Sequence, residues 1–454
     1  MSMNLKIRRG FSFDEAILMA QFSKLVYEIF PYDDGCIEDT ELKEIYNAIH
    51  RHQGWKFVHS IRNDETNVRG FILKKTGSNQ YVVAFRGSIL TDRGAVELSN
   101  IATVMNWNLT KYGPMADPRI KVVQGFFEAF ESVWDQVKIF FKTLLNQLTF
   151  KDFEQLHKLT PERQFACATA MADAGAIRLG ADFEQEARVL IQEVVADGEI
   201  GNNDELVRVL DFKRKTLLAV DAPTKPVEVY VTGHSLGGGL AHLCALALRR
   251  CFGSVVDSNL ASKVYTFGGP KLGNQHFANY YNEQVGEGLS YRVENLLDQG
   301  PHLPLPPPFP LNILAPNGLQ IGNFYMGDYV SVGELHRLIG LGSHNASLSF
   351  GGALEFLGSI PFPHSYDTYI QLLKEEQQHW HQLSQPIKNV LRPFLEELLQ
   401  EQLEESITRS HASTQALGEE ILQAINSLRT QQAIAQHNGG EKILALKDLR
   451  SNIN

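Results

Sequence analysis

Hydrophobic and polar positions alternate with different periods along this chain. Over residues 12–29, SFDEAILMAQFSKLVYEI, apolar side chains recur every three to four places, the stripe of an amphipathic helix. Ser12 stands where an N-cap belongs, and Glu15 three places on completes a capping box. From Trp55 to Phe85 the runs become short, β-branched and aromatic. FVHSI, GFILKK and YVVAFRG read as strands, broken by the turn sequences NDET and TGSNQ. VVQGFFEAFESVWDQVKIFFKTLLNQL, from Val122, reads as a strand end followed by a long amphipathic helix. After the strand VEVYVTG (227–233), helices and strands alternate: GGGLAHLCALALRRC, SKVYTFGG, QHFANYYNEQ and YRVENLL. That alternation predicts an α/β fold built on a mostly parallel sheet.

A parallel crossover needs only about a dozen residues of helix, far fewer than separate Gly125 from Gly233. The excess, residues 148–222, is helical in pattern and reads as an insertion, a possible cap. Seven prolines in 300–316 predict a stiff surface loop. Beyond Tyr369 the pattern is helical to the end, without a strict heptad, as expected of a packed helical extension. The organisation predicted is a discontinuous catalytic domain (1–147 and 223–374), a helical insertion (148–222) and a helical C-terminal extension (375–454).

Composition narrows the class. Of 454 residues, 43% are apolar and 21% charged, enough for a sizeable core and against disordered or collagen-like chains. Forty-two basic against fifty-two acidic residues give a net charge of −10. That excludes a broad basic face, so nucleic acid is not expected as a partner. Four scattered cysteines suggest neither a disulfide framework nor zinc. Asp14 and Glu15 interrupt any signal-peptide core, and no run of about 18 apolar residues would span a bilayer. The expectation is a cytoplasmic or leaderless secreted protein that meets lipid, if at all, from the water side. Asp197-Gly-Glu-Ile-Gly-Asn-Asn-Asp-Glu has a calcium-loop flavour, but its sixth and twelfth places hold Asn202 and Arg208 where glycine and glutamate belong. It reads as an acidic turn connecting helices, and no metal is expected.

The chemistry concentrates at Gly233-His234-Ser235-Leu236-Gly237, a G-x-S-x-G pattern between a strand and a helix. This is the setting of a nucleophile elbow: a strained serine whose Oγ stands at the sheet's C-terminal edge on a helix N-terminus. A serine needs a base to take its proton and an acid to orient that base, in chain order serine, acid, histidine. Asp298 is the first carboxylate beyond the strand YRVENLL. Asp257 precedes a strand, Glu294 lies mid-strand, and Asp328 falls in an irregular loop. For the base, His302 is held in the proline loop and His336 in a short helix-like ELHRL. His344, in a Gly/Ser/Asn loop, and His364, aimed by Pro361 and Pro363, both remain open. His234 should point away from the nucleophile and pack against the sheet. The oxyanion donors expected are the Leu236 N–H and, from the end of an earlier strand, Ser88. Arg86 reads as structural.

Together these pieces resemble the class 3 (fungal-type) lipases of the α/β-hydrolase superfamily. The resemblance covers about residues 12–147 and 223–374. It rests on the A-x-x-x-A-x-x-S-x-x-x-Y-like helix ending at Tyr27, FRGS (85–88), V-x-x-G-F (122–126), TGHSLGGGLA (232–241), YTFGGPKLGN (265–274), R-V-x-N-x-x-D-x-x-P-x-L-P (292–304) and HSYDTY (364–369). It implies Ser235, Asp298 and His364 as the triad, Ser88 and Leu236 as the oxyanion hole, and no cofactor. It departs at Val123, where many members carry histidine, and at Ser88, where many carry threonine. It further implies a lipid ester as substrate, with transient contact with a lipid surface. Acylglycerol hydrolysis leads, with phospholipase A or acyltransferase chemistry as the alternative. A silent hydrolase-fold scaffold is the alternative of another class. Residues 95–108, presenting Leu98, Ile101, Val104 and Met105, read as either a lid or a surface-packed helix.

Overall fold

The computed structural model describes residues 7–30, 46, 54–88, 108–180 apart from 116 and 157, 182–183, 185, 195–196, 199–200, 226–253, 260–295, 298, 300–303, 319–321, 324–326, 329–338 and 364–382. Among the described residues, seven strands form one sheet. They are β1 (Trp55–Asn63), β2 (Val68–Lys75), β3 (Gln80–Phe85), β4 (Val227–His234), β5 (Leu260–Phe267), β6 (Ser290–Asn295) and β7 (Glu334–Leu338). Their order across the sheet is their order in the chain. β1, β2 and β3 pair antiparallel because short turns join them. In the first turn the Asn63 carboxamide oxygen accepts from the Thr66 N–H and hydroxyl, each at 2.9 Å. β3 through β7 pair parallel.

Period-two alternation divides the core. Val227, Val229 and Val231 of β4 face one side, where helices α2 (Gln124–Leu144), α5 (Leu236–Phe252) and α6 (Gln275–Val285) pack. Tyr230 and Thr232 face the other side, against α1 (Phe13–Ile29). The Thr232 and Ser23 hydroxyls share a buried 2.9 Å hydrogen bond. A last helix, α7 (Tyr366–Gln382), runs antiparallel beside α1. Lys24 pairs with Asp367 at 2.8 Å and Gln377 donates to Asp14 at 2.7 Å, so the lower-numbered end of one helix meets the higher-numbered end of the other. The start of α7 is thereby held where α1 ends, at the C-terminal edge of the parallel strands.

Helices α3 (Phe150–Leu156) and α4 (Pro161–Leu179) begin the stretch read as an insertion. Pro161 sits in the first turn of α4, where its missing N–H costs nothing. α4 lies along α2 and reaches β1, where His59 Nδ1 and Asp173 Oδ2 meet at 2.8 Å, both buried. Farther on, Val195–Ala196 pairs antiparallel with Glu199–Ile200; the rest of the acidic segment lies outside the described residues. The segments carrying Asp257, Asp328 and His344 lie outside the described residues, as do all of the lid candidate 95–108 but Asn108, most of 186–225 and everything beyond 382. No helix among the described residues is long and apolar enough to cross a membrane.

Two expectations are corrected. ELHRL is strand β7, parallel to β6, with His336 and Leu338 buried at period two. Five residues fit either period, and pairing with β6 decides. The capping box is only half made. Ser12 Oγ accepts from the Glu15 N–H, but the Glu15 carboxylate turns inward. It takes Lys263 Nζ at 2.6 Å and the hydroxyls of Tyr265 and Tyr230 at 2.8 and 3.1 Å. Lys263 also donates to the carbonyls of Arg8 and Gly10. Removing one partner of a buried pair strands the other, so Lys263→Met is expected to cost about 3–5 kcal/mol in urea unfolding. Adding Glu15→Gln should recover most of that loss.

Candidate active site

β4 delivers its last residues to the sheet edge and the chain turns at once into α5. Ser235 carries the turn at φ 58°, ψ −129°, a conformation that side chains with a Cβ rarely adopt. Its N–H donates to Phe267 O, and its own carbonyl accepts from the Gly238 N–H, both at 2.9 Å. The flanking glycines are required by close approach. A Cβ at Gly233 would strike the Gly237 carbonyl oxygen, and one at Gly237 the Phe85 carbonyl oxygen. The strain is testable. Ser235→Gly, which relieves it, should exceed Ser235→Ala in unfolding free energy by about 1 kcal/mol.

Ser235 Oγ lies 2.8 Å from His364 Nε2, and His364 Nδ1 lies 2.8 Å from both oxygens of Asp298. A carboxylate only accepts, so Nδ1 carries the ring proton and Nε2 is left to accept from the serine. Asp298 is 1% exposed and fully occupied. The Gly300 N–H donates to Oδ1 at 2.7 Å and the Tyr369 hydroxyl to Oδ2 at 2.6 Å, while Asn295 N–H donates to the Tyr369 oxygen at 3.1 Å. Burial, reinforced by the Asp298 charge, pushes the Tyr369 hydroxyl well above its usual pKa, so it stays a donor. The imidazole fits a slot walled by glycine backbone. A Cβ on Gly300 would come within 2.5 Å of His364 Cε1 and one on Gly268 within 3.1 Å of its ring.

His364, and not His302 or His336, therefore bridges the serine and the acid. His336 stacks on Phe11 instead, with ring centroids 3.7 Å apart. Glu294, the mid-strand rival for the acid, pairs with Arg292 Nε at 2.8 Å. Leu236 opens α5, where the first N–H groups lack helical partners. Gly87 places the β3-end loop against the elbow: a Cβ there would lie 3.0 Å from Ser235 Cβ. Next to it, Ser88 Oγ is buried without a hydrogen-bond partner among the described residues. Arg86 is structural as read, donating to Phe30 O at 2.8 Å and to Asn67 Oδ1 at 3.2 Å.

The packing role expected of His234 is corrected. Both its ring nitrogens are engaged, Nδ1 with the Tyr27 hydroxyl at 3.0 Å and Nε2 with the His364 carbonyl at 2.5 Å. Tyr27 and Tyr369 were not singled out for the site from the residue pattern. The first ends the α1 motif and the second ends HSYDTY, and only their position within those motifs marks them.

The strand order, the elbow and the serine–histidine–aspartate geometry are those of the α/β-hydrolase fold. Residues 206–307 match the family model described as lipase (class 3). A lipase from Rhizomucor miehei is 47% identical over 78 residues, covering 17% of this chain and 20% of that protein. A secreted mono- and diacylglycerol lipase from Fusarium solani is 40% identical over 74 residues, covering 16% of this chain and 20% of that protein. This chain thus spans about a fifth of the length of the curated relatives it matches. The solved Rhizomucor miehei triacylglyceride lipase shares 18% identity, covering 73% of this chain and 83% of that one, with a TM-score of 0.35.

Proposed function

We propose that this protein hydrolyses carboxylic esters of lipids, acylglycerols first among them, through an acyl-enzyme on Ser235. The observation that carries the reading is the unbroken line from Ser235 Oγ through His364 to Asp298, each link at 2.8 Å. His364 Nε2 takes the serine proton as Oγ attacks the ester carbonyl. The resulting oxyanion is held by the N–H groups of Leu236 and Ser88 and by the Ser88 hydroxyl, whose buried Oγ otherwise has no partner. The imidazolium, steadied by Asp298, gives its proton to the departing alkoxide, and the C–O bond breaks. Water then attacks the acyl-serine, with its proton passing to His364 and back to Ser235. The class 3 lipase match over 206–307 and the acylglycerol relative support the substrate class.

The test is a substrate panel of mono-, di- and triacylglycerols against phospholipids, with and without an alcohol acceptor. Release of free fatty acid from acylglycerols is the expected result. Cleavage confined to phospholipids, or acyl transfer outrunning hydrolysis, would replace the reading with phospholipase or acyltransferase chemistry. No cleavage of any ester would leave the scaffold reading.

A further inference from the structure

His234 sits beside the nucleophile in sequence, yet its ring nitrogens hydrogen-bond to neither Ser235 Oγ nor Asp298. It is 5% exposed, and its centroid lies 4.6 Å from that of His364. Its two nitrogens close a chain whose direction is fixed at the His364 end. The His364 carbonyl can only accept, so His234 Nε2 must carry the proton and donate across 2.5 Å. Nδ1 must then accept, which makes Tyr27 the donor across 3.0 Å. The Tyr27 hydroxyl in turn packs against the backbone of Gly87, where an added Cβ would strike it. The chain runs from the loop carrying Ser88, through the end of α1 and the elbow, to the backbone of His364.

We propose that Tyr27 and His234 are positioning residues that hold the oxyanion loop, the elbow and the base in one register. The inference rests on the hydrolase reading above and deepens it. Burial, with the His364 ring alongside, pushes His234 down to about 3, so the ring stays neutral with a single proton to place. The other tautomer would aim a lone pair at the His364 carbonyl. Tyr27 secures the tautomer, and the tautomer secures the backbone from which the base projects. The ring of Tyr366, at the start of α7, packs on Tyr27 with centroids 5.1 Å apart and closes the same corner. This chain of contacts ends on Tyr27 and on the His364 backbone rather than on Ser235 Oγ. Its loss should therefore lower kcat and leave KM nearly alone.

The experiment compares kcat and KM for p-nitrophenyl butyrate among wild type, Ser235→Ala, His234→Phe, His234→Gln and Tyr27→Phe. His234→Phe keeps a ring but no hydrogen bond, and is expected to lose about 10–100-fold in kcat with KM within about twofold. His234→Gln offers an N–H for the carbonyl and an oxygen for Tyr27, and should return to within about fivefold of wild type. Tyr27→Phe, the variant most certain to fold, should lose about 3–10-fold in kcat. Wild-type kcat in His234→Phe or Tyr27→Phe, or a Gln variant no better than the Phe variant, would overturn the inference. Should wild type be no faster than Ser235→Ala, it is the hydrolase reading that fails.

Discussion

Ser235→Ala is expected to lower kcat for ester hydrolysis by about 10⁶-fold while leaving the fold intact, since the nucleophile and base act as one unit. Alanine keeps the Cβ and therefore the strained φ of 58°, so stability should change little. What disappears is the oxygen 2.8 Å from His364 Nε2, and with it the acyl-enzyme route. His364→Ala should cost about as much, and combining the two should add little. Steady-state kinetics on p-nitrophenyl esters, with melting curves for each variant, check both points. Near-additive losses in the double variant would mean that the two residues do not share a step.

Asp298→Asn is the second large effect, expected at about 10⁴-fold in kcat, by analogy with the same change in serine proteases. The site around Asp298 is built for an acceptor on every side. His364 Nδ1, the Gly300 N–H and the Tyr369 hydroxyl all donate to its two oxygens. An amide nitrogen there faces a donor whichever way it turns. If it displaces the ring N–H, the imidazole must shift its proton to Nε2 and can no longer accept from Ser235. Tyr369→Phe removes one of the donors while leaving the acid, so its loss should be much smaller. Comparable rates for Asp298→Asn and wild type would show that the carboxylate does not orient the base.

How much of this was legible in the sequence follows from the range of each signal. The elbow was, because Gly233, Ser235 and Gly237 solve a local steric problem between a strand and a helix. Asp298 was legible through order, as the first carboxylate after β6. His364 was narrowed to a pair with His344 by residue pattern, and the HSYDTY resemblance favoured it. The antiparallel seating of α7 on α1 then explains why a residue 66 positions after Asp298 reaches it. Partners chosen across long separations were not legible. Glu15 carried a local capping signal, but its carboxylate found Lys263, 248 positions away, because a buried lysine needs a counter-charge more than a helix start needs a second cap. His234 looked like packing because its hydroxyl partner, Tyr27, sits on a helix whose apolar stripe hides one polar contact. ELHRL is too short to reveal its period.

The central claim is that Ser235 becomes acylated, and covalent trapping tests it most directly. The protein would be treated with diethyl p-nitrophenyl phosphate, followed by intact mass measurement and peptide mapping. The predicted result is one phosphoryl group per chain, located on Ser235, forming far more slowly in His364→Ala and not at all in Ser235→Ala. An enzyme that hydrolyses esters at full rate after such treatment, or that carries the label on another residue, would contradict it.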